Sequence, residues 1–181
     1  MVQLTFEWNF YAKFTIKKGS RNPVIGYKPQ LVRSENGFVT TMIVPQGNTA
    51  DSTELVPAIS ESIERTGIVA ELVSTDDGYA SAAGRNKILG MGVKYLSISG
   101  FKGRKLTTSE NWDSELYRNA RRDRSAVESL MFTIKFGYAF GELSRRGIDG
   151  VRAELQEKII AYNCCRIILI RKRRERESEG K

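Results

Sequence analysis

The N-terminal part of the chain alternates between apolar and polar residues. Every second residue of one stretch is apolar: Val2, Leu4, Phe6, Trp8 and Phe10. A period of two is typical of a β-strand with one buried face, so this pattern predicts a strand. Farther along, two strand-like segments flank Asn36 and Gly37, a pair of residues that favours tight turns. This arrangement predicts a β-hairpin with its turn at Asn36 and Gly37.

The middle of the chain alternates between helical and strand-like patterns. The predicted helices cover 48–67 and 80–92, and the predicted strands cover 68–74 and 93–99. Asp51 or Ser52 is expected to cap the first of these helices, and Gly67 is expected to end it. The order of elements predicts an α/β fold in which at least part of the sheet is parallel. Such sheets carry their functional crevice outside the carboxyl ends of the strands.

Two long helices are predicted in the C-terminal third, at about 113–138 and 147–171. Apolar residues recur at helical spacing in both and are expected to face the core. They are Val127, Leu130, Met131 and Ile134 in the first helix, and Ile148, Val151, Leu155, Ile159 and Tyr162 in the second. Residues 172–181 form a mixed charge run without apolar periodicity, which predicts a solvated and frayed tail.

Composition limits the chemistry that this chain can perform. Its 181 residues contain no histidine, which excludes Ser-His and Cys-His nucleophiles and histidine-held metals. Carboxylates with a hard cation, or lysine and arginine, remain. The formal net charge of +8 favours a polyanionic partner such as nucleic acid. No apolar run is long enough to span a bilayer and no secretory signal is evident, so a cytoplasmic location without a membrane partner is expected.

Two neighbouring carboxylates, Asp76 and Asp77, directly follow the apolar segment 68–74. Like charges in one turn repel each other, and they are costly near an apolar core unless a cation or hydrogen-bond donors meet them. Asp-Asp-Gly is also common turn chemistry, so a plain loop explains the pair as well. The alternative is a metal ligand at the carboxyl end of a strand.

A stripe of charged residues is predicted on the helix at about 113–138. If Glu128 is taken as the origin, Arg124 lies about 40° to one side and Lys135 about 20° to the other, and Arg121 lies two turns below. The stripe is a carboxylate flanked by cations. An exposed helix face with an ordinary i, i+4 ion pair would have the same pattern, which leaves both interpretations open.

The span from about Ile16 to Arg171 resembles the catalytic domain of bacterial insertion-sequence transposases of the DDE type. Four segments carry the resemblance in order: "KKGSRNPVIGYKPQLV", "TDDGYAS", "RSAVESLMFTIKFGYAFGELSRRG" and "AELQEKIIAYNCCRI". The second segment is similar to the Asp-x-Gly-Tyr/Phe pattern around a catalytic Asp, which places that acid at Asp76. The third is similar to the helix of the catalytic Glu, which places it at Glu128. In the signature Tyr-x2-Arg-x3-Glu-x6-Lys, the chain matches at Arg124, Glu128 and Lys135 and has Arg121 in place of the Tyr.

The resemblance implies an α/β fold, a ribonuclease-H-like mixed sheet flanked by helices and incomplete at its N-terminal strand. It also implies DNA strand cleavage and transfer, in which carboxylates hold two Mg²⁺ ions and the ions activate the attacking oxygen. Asp76 and Glu128 would be catalytic residues and metal ligands. Arg121, Arg124 and Lys135 would bind DNA phosphates. Asp77, at a variable position of the pattern, would be a bystander.

The first catalytic Asp of the family has no match in this sequence. The expected organisation is a poorly matched leader at 1–16 with a possible strand, a partial catalytic domain at 17–171 and the charged tail at 172–181. Glu7 is the only carboxylate of the leader that could replace the missing acid, and Asp51 is a further acid to test. With two carboxylates Mg²⁺ binding is expected to be weak, and the chain is expected to be a truncated copy that is inactive alone.

The expected partners are DNA, in the form of transposon ends, and a second copy of the chain or a full-length transposase. Two other functions fit the same residues. One is a DNA-binding module without chemistry that interferes with a full-length transposase, and the other is a small Mg²⁺-dependent nuclease of the same fold. If Asp76 and Glu128 bind the same pair of metal ions, their carboxyl carbons are expected within roughly 8 Å of each other.

Overall fold

The structure is a computed structural model that describes residues 2–5, 10–16, 23–47, 49–123 and 125–179, with side chains for 27–47, 49–123, 127 and 129–179. The strands are β1 Val2–Thr5, β2 Phe10–Ile16, β3 Pro23–Tyr27, β4 Gln30–Ser34, β5 Val39–Ile43, β6 Leu72–Thr75 and β7 Tyr95–Ile98. The helices are α1 Asp51–Thr66, α2 Ala82–Gly90, α3 Phe101–Leu106, α4 Ser109–Asp113, α5 Glu115–Arg122, α6 Ser125–Gly137 and α7 Gly147–Glu179. A short 3-10 turn covers Asp77–Tyr79.

Five of the strands form one mixed sheet in the order β5-β4-β1-β6-β7. Strand β4 is antiparallel to both of its neighbours, β5 and β1. On the other side, β6 is parallel to both of its neighbours, β1 and β7. Strands β2 and β3 form a separate antiparallel pair. The sheet is therefore mixed and partly parallel, which confirms the predicted α/β class.

The N-terminal strand of the sheet is present, which corrects the prediction that the sheet is incomplete there. Strand β1 lies in the middle of the sheet, where Val2 is paired with Ser34 of β4 on one side and with Val73 of β6 on the other. A central strand has its backbone groups bonded on both edges, so even this short segment has a defined place. Glu7 follows β1 in the sequence and lies outside the described residues.

The sheet has a hydrophobic core on each face. One core joins Leu31 of β4 to Leu130 of α6 and Leu155 of α7. The other joins Val32 of the same strand to α1 and α2, since alternate residues of a strand point to opposite faces. Of the nine core residues predicted in the two long helices, Ile148 is partly buried. The other eight are buried: Val127, Leu130, Met131, Ile134, Val151, Leu155, Ile159 and Tyr162. The helical periodicity was thus a reliable guide to the buried faces.

The β4–β5 hairpin turns at the predicted position. Gly37 has φ +84°, a left-handed conformation that favours glycine. Helix α7 holds this turn, because the Tyr162 hydroxyl donates to the Gly37 carbonyl at 2.7 Å and Arg166 Nε donates to the Asn36 carbonyl at 2.8 Å. A β-carbon on Gly37 would lie only 2.7 Å from Arg166 Nε. A side chain at residue 37 would therefore strain the left-handed backbone and displace the Arg166 side chain from the turn.

Asn163 of α7 is expected to be important for stability, because it bonds both backbone groups of Val39. Its Oδ1 accepts from the Val39 N–H at 3.0 Å and its Nδ2 donates to the Val39 carbonyl at 2.9 Å. Asn163→Ala should lower the free energy of unfolding by about 2 kcal/mol, since it removes the partners of two partly buried groups. Urea unfolding measures the loss. Gln156→Ala, at an exposed position of the same helix, is the control, and an equal loss in both variants would contradict the role of Asn163.

Three helix boundaries differ from the predictions. The segment predicted as one helix at 113–138 is divided into parts of α4, α5 and α6. Ser114 causes one division, because its hydroxyl accepts from the Tyr117 N–H at 3.3 Å and caps α5. The cap of α1 is Ala50 and not Asp51 or Ser52, whereas Gly67 ends that helix as predicted, with φ +68°.

Helix α7 continues into the predicted frayed tail and reaches Glu179. An i, i+4 pair between Arg173 and Glu177, 2.8 Å between Nε and Oε1, supports the helix in this exposed region. No helix in the described ranges has both the length and the apolar character needed to cross a membrane.

Candidate functional site

Asp76 lies where the sequence predicted it, directly after a buried strand. All four residues of β6 are buried, and Asp76 follows at the carboxyl end. Its backbone is extended, with φ −86° and ψ 177°, and its Oδ1 accepts from the Gly78 N–H at 2.8 Å. Because β1, β6 and β7 are parallel, their carboxyl ends meet at the same edge of the sheet. We call this the carboxyl edge, and Asp76 stands in the middle of its three strands.

Asp77 has a structural role that the sequence did not indicate. Its Oδ1 accepts from the backbone N–H groups of Lys102 at 2.7 Å and Gly103 at 2.9 Å, at the start of α3. Gly100 precedes that helix with φ +98°, and a β-carbon there would lie 2.6 Å from Asp77 Cβ. The two neighbouring acids are therefore used differently, since Asp77 caps a helix 25 residues away while Asp76 remains at the carboxyl edge.

Asp51, which the sequence analysis considered as a helix cap and as a further acid to test, is a second carboxylate near Asp76. Asp51 Oδ2 and Asp76 Oδ1 each lie 3.0 Å from the point where a β-carbon on Gly78 would stand. A side chain at residue 78 would be in tight contact with both carboxylates, and each would have to shift slightly to make room for it. Asp51 forms an ion pair with Lys28, and Lys28 comes from the short connection between β3 and β4. Lys28 and Asp51 are 23 positions apart, so no local sequence pattern predicts their ion pair.

Tyr79 fixes the turn that carries Asp76. Its ring is completely buried, and its hydroxyl donates to Gln30 Oε1 at 2.7 Å. Burial, together with the negative charges of Asp51 and Asp76, raises the pKa of the Tyr79 hydroxyl well above its usual range. The phenol stays neutral at any physiological pH, so it acts here as an anchor and a hydrogen-bond donor.

Helix α5 packs beside β7 and reaches the neighbouring strand β6. The rings of Tyr117 in α5 and Tyr95 at the start of β7 are 6.5 Å apart, and three residues later the Ala120 carbonyl accepts from the Ser74 hydroxyl of β6 at 3.1 Å. Helix α6 then packs beside β1. Glu128 is in the first turn of α6, and its side chain lies outside the described part.

The predicted stripe of cations does not lie on one helix, because α5 ends at Arg122 and a separate helix, α6, begins at Ser125. Arg121 belongs to α5, where its Nη2 donates to the Trp112 carbonyl at 2.8 Å and its guanidinium lies 4.1 Å from the centre of the Trp112 ring. Arg124 lies outside the described residues. Lys135 is on α6, with Nζ 5.1 Å from the centre of the Phe136 ring. The prediction of one continuous helix that carries Arg121 and Lys135 is therefore wrong, and the assigned DNA contacts stay predictions.

The described acids at the carboxyl edge supply hard oxygen ligands of the kind that Mg²⁺ prefers. Within the described side chains, which include neither Glu7 nor Glu128, no group of three or more His, Cys, Asp or Glu residues stands close enough together to hold a metal ion. Asp76 is the described carboxylate that fits such a site by its position. The separation of the Asp76 and Glu128 carboxyl carbons stays a prediction.

The sequence matches a protein family over most of its length. The model of the transposase DDE domain family matches residues 7–164, which include Asp76, Glu128, the first three segments that carry the resemblance and most of the fourth. No curated protein and no solved structure matches the chain. The match begins two residues after β1 and ends within α7, so it covers the other four strands of the main sheet and the helices from α1 to α6. The chain belongs to the transposase DDE domain family.

Proposed function

We propose that this chain takes part in DNA transposition, with Asp76 and Glu128 as the acids of a metal-dependent site for strand cleavage and transfer. The sheet is proposed to be ribonuclease-H-like, as the family resemblance implies. Support for this comes from the strand order, in which β1 is central, antiparallel on one side and parallel on the other. DNA, in the form of transposon ends, is the proposed substrate.

One observation carries the proposal: Asp76 follows β6, the neighbour of central strand β1, and helix α6, which carries Glu128, packs beside β1. Gln3 of β1 is paired with Ser74 of β6 on one side and with Arg33 of β4 on the other. If the parallel pairing continues by two residues, Asp76 lies beside Thr5, the last residue of β1. Thr5 is itself paired with Leu31 of β4. Leu31 packs in the same core as Leu130 of α6. Glu128 is two positions before Leu130 on that helix, which supports the proposal that Glu128 and Asp76 share a site.

When bound, Mg²⁺ supplies charge stabilisation and an activated oxygen nucleophile for in-line attack at phosphorus. Asp76 would bind the metal with its carboxylate, held in place by the Gly78 N–H. Glu128 would bind from the side of α6. Lys135, Arg124 and Arg121 would hold DNA phosphates beside the metal site, as the resemblance implies.

Partners and location follow from this proposal. A second copy or a full-length transposase would bring the remaining DNA contacts, and a cytoplasmic protein associated with the nucleoid through DNA fits the formal net charge of +8. A DNA-binding module without chemistry and a small nuclease are the competing functions. Plasmid cleavage, treated in the Discussion, separates the nuclease from the other two.

Asp76→Asn is expected to weaken Mn²⁺ binding by about tenfold, because it replaces a charged ligand by a neutral one and about 1.4 kcal/mol corresponds to a factor of ten. Isothermal titration with Mn²⁺ measures the change. Asp77→Asn is a matched control, since asparagine keeps an Oδ1 acceptor for Lys102 and Gly103 and loses only the charge. If Mn²⁺ binding is weakened equally in both variants, the cause is the loss of one negative charge and not the loss of a ligand. If Mn²⁺ binding is weakened in neither variant, the metal binds at another place.

A further inference from the structure

Helix α6 carries two exposed aromatic rings. Phe132 is 66% exposed and Phe136 is 64% exposed, and their ring centres are 4.6 Å apart with an angle of 49° between the planes. We call Phe132 and Phe136 the phenylalanine pair. Apolar side chains that are grouped together and exposed to water are typical of interaction sites, so the pair is a candidate contact surface.

The surroundings of the phenylalanine pair favour nucleic acid over protein as that partner. The nearest positions on the exposed side of the helix are Ser129, Thr133 and Lys135, which are polar or charged, so the apolar area is small. Stable protein interfaces bury about 800 Å² on each partner, far more than two rings offer. The Lys135 ammonium lies against the Phe136 ring, which puts a phosphate-binding cation beside a stacking surface.

The phenylalanine pair also lies close to Glu128 on the same helix. Phe132 and Phe136 follow Glu128 by one and two turns, so they are about 6 Å and about 12 Å farther along the axis and within about 80° around it. Successive nucleotides of one DNA strand rise by about 3.4 Å along the axis of the duplex. A strand whose phosphate is at Glu128 would therefore have bases only a few nucleotides away at the level of the pair.

We propose that the phenylalanine pair is a stacking platform for unpaired bases of the DNA strand that enters the site, with Lys135 on the adjoining phosphate. This inference rests on the proposed function, because it assumes that DNA reaches Glu128. Base–aromatic stacking is tolerant of sequence, since every base offers a flat face. The platform would hold a strand that is separated from its complement next to the metal-binding acids.

The test compares a labelled single strand of thymidines with a duplex of the same length by fluorescence anisotropy, in EDTA. Phe132→Leu and Phe136→Leu are each expected to weaken single-strand binding by about tenfold, because leucine keeps apolar bulk but removes the ring. Duplex binding should change by less than about twofold in both, since stacking contributes nothing to it. Phe132→Tyr and Phe136→Tyr keep the ring and should bind like the unchanged chain. Ile160→Ala, which removes an exposed apolar side chain of α7, is the control and should have no effect.

Leucine variants that bind the single strand as tightly as the unchanged chain would overturn the platform, and so would an equal loss of duplex binding. Light scattering on the same samples measures the oligomeric state and so tests whether the phenylalanine pair binds protein instead. If the unchanged chain is a dimer and Phe132→Leu is a monomer, the pair is an interface between two copies of the chain, and the platform is overturned. EDTA keeps this test independent of the metal site. Failure of Mn²⁺ binding at Asp76 and failure of stacking at Phe132 are therefore separate results.

Discussion

Supercoiled plasmid incubated with the purified chain and Mg²⁺ or Mn²⁺ is expected to remain supercoiled. Three oxygen-donor side chains normally hold the two ions of such a site, and the sequence resemblance assigns two, Asp76 and Glu128. An absent ligand leaves the metals under-coordinated and the attacking oxygen unactivated. A loss of about 4 kcal/mol in transition-state stabilisation lowers the rate by about a thousandfold, to below detection in a gel assay.

The controls for the plasmid assay are Asp76→Asn and Glu128→Gln, each under the same metal concentrations. Metal-dependent nicking that both substitutions abolish would contradict the prediction and show that a third acid completes the site. Glu7→Gln and Asp51→Asn would then identify that acid. Glu7 comes two positions after the last residue of central strand β1, and Asp51 has its carboxylate beside Gly78, close to Asp76. Nicking that persists in every variant would come from a contaminating nuclease.

Gly103→Ala is expected to lower the free energy of unfolding by about 3 kcal/mol, as overpacking against a rigid neighbour does. A β-carbon on Gly103 would lie 2.0 Å from the Ile98 carbonyl oxygen and 2.6 Å from its carbon. These are backbone atoms of β7, so relief requires α3 to move away from the sheet. Because Asp77 caps α3 through the N–H groups of Lys102 and Gly103, that movement would also disturb the turn of Asp76.

Urea unfolding followed by circular dichroism measures this effect, with Gly90→Ala as the matched control. Gly90 is the last residue of α2, and a β-carbon there would meet nothing within 4 Å. That substitution should raise the free energy of unfolding by about 0.5 kcal/mol, because alanine restricts the unfolded chain. If both alanine variants unfold at the same urea concentration, the close approach at Ile98 does not limit stability.

Short-range patterns in the sequence were enough to predict much of the fold. The hairpin turn at Gly37, the end of α1 at Gly67 and the buried side of α6 were all predicted, because each depends on residues within a few positions of one another. The end of β6 was predicted for the same reason, and this placed Asp76 at the carboxyl edge. The break between α5 and α6 was missed, since the charged residues around it fit a continuous helix as well as an interrupted one.

By itself the sequence determined the α/β class, the membership of residues 7–164 in the transposase DDE domain family and the position of Asp76 after a buried strand. Only the tertiary structure decided that β1 is central, that Asp77 caps α3 and that Asp51 lies beside Asp76. Each of these facts depends on a contact between residues more than 20 positions apart. Local patterns express the preferences of a single element, whereas such contacts arise only when the packed elements leave one arrangement that satisfies their buried polar groups.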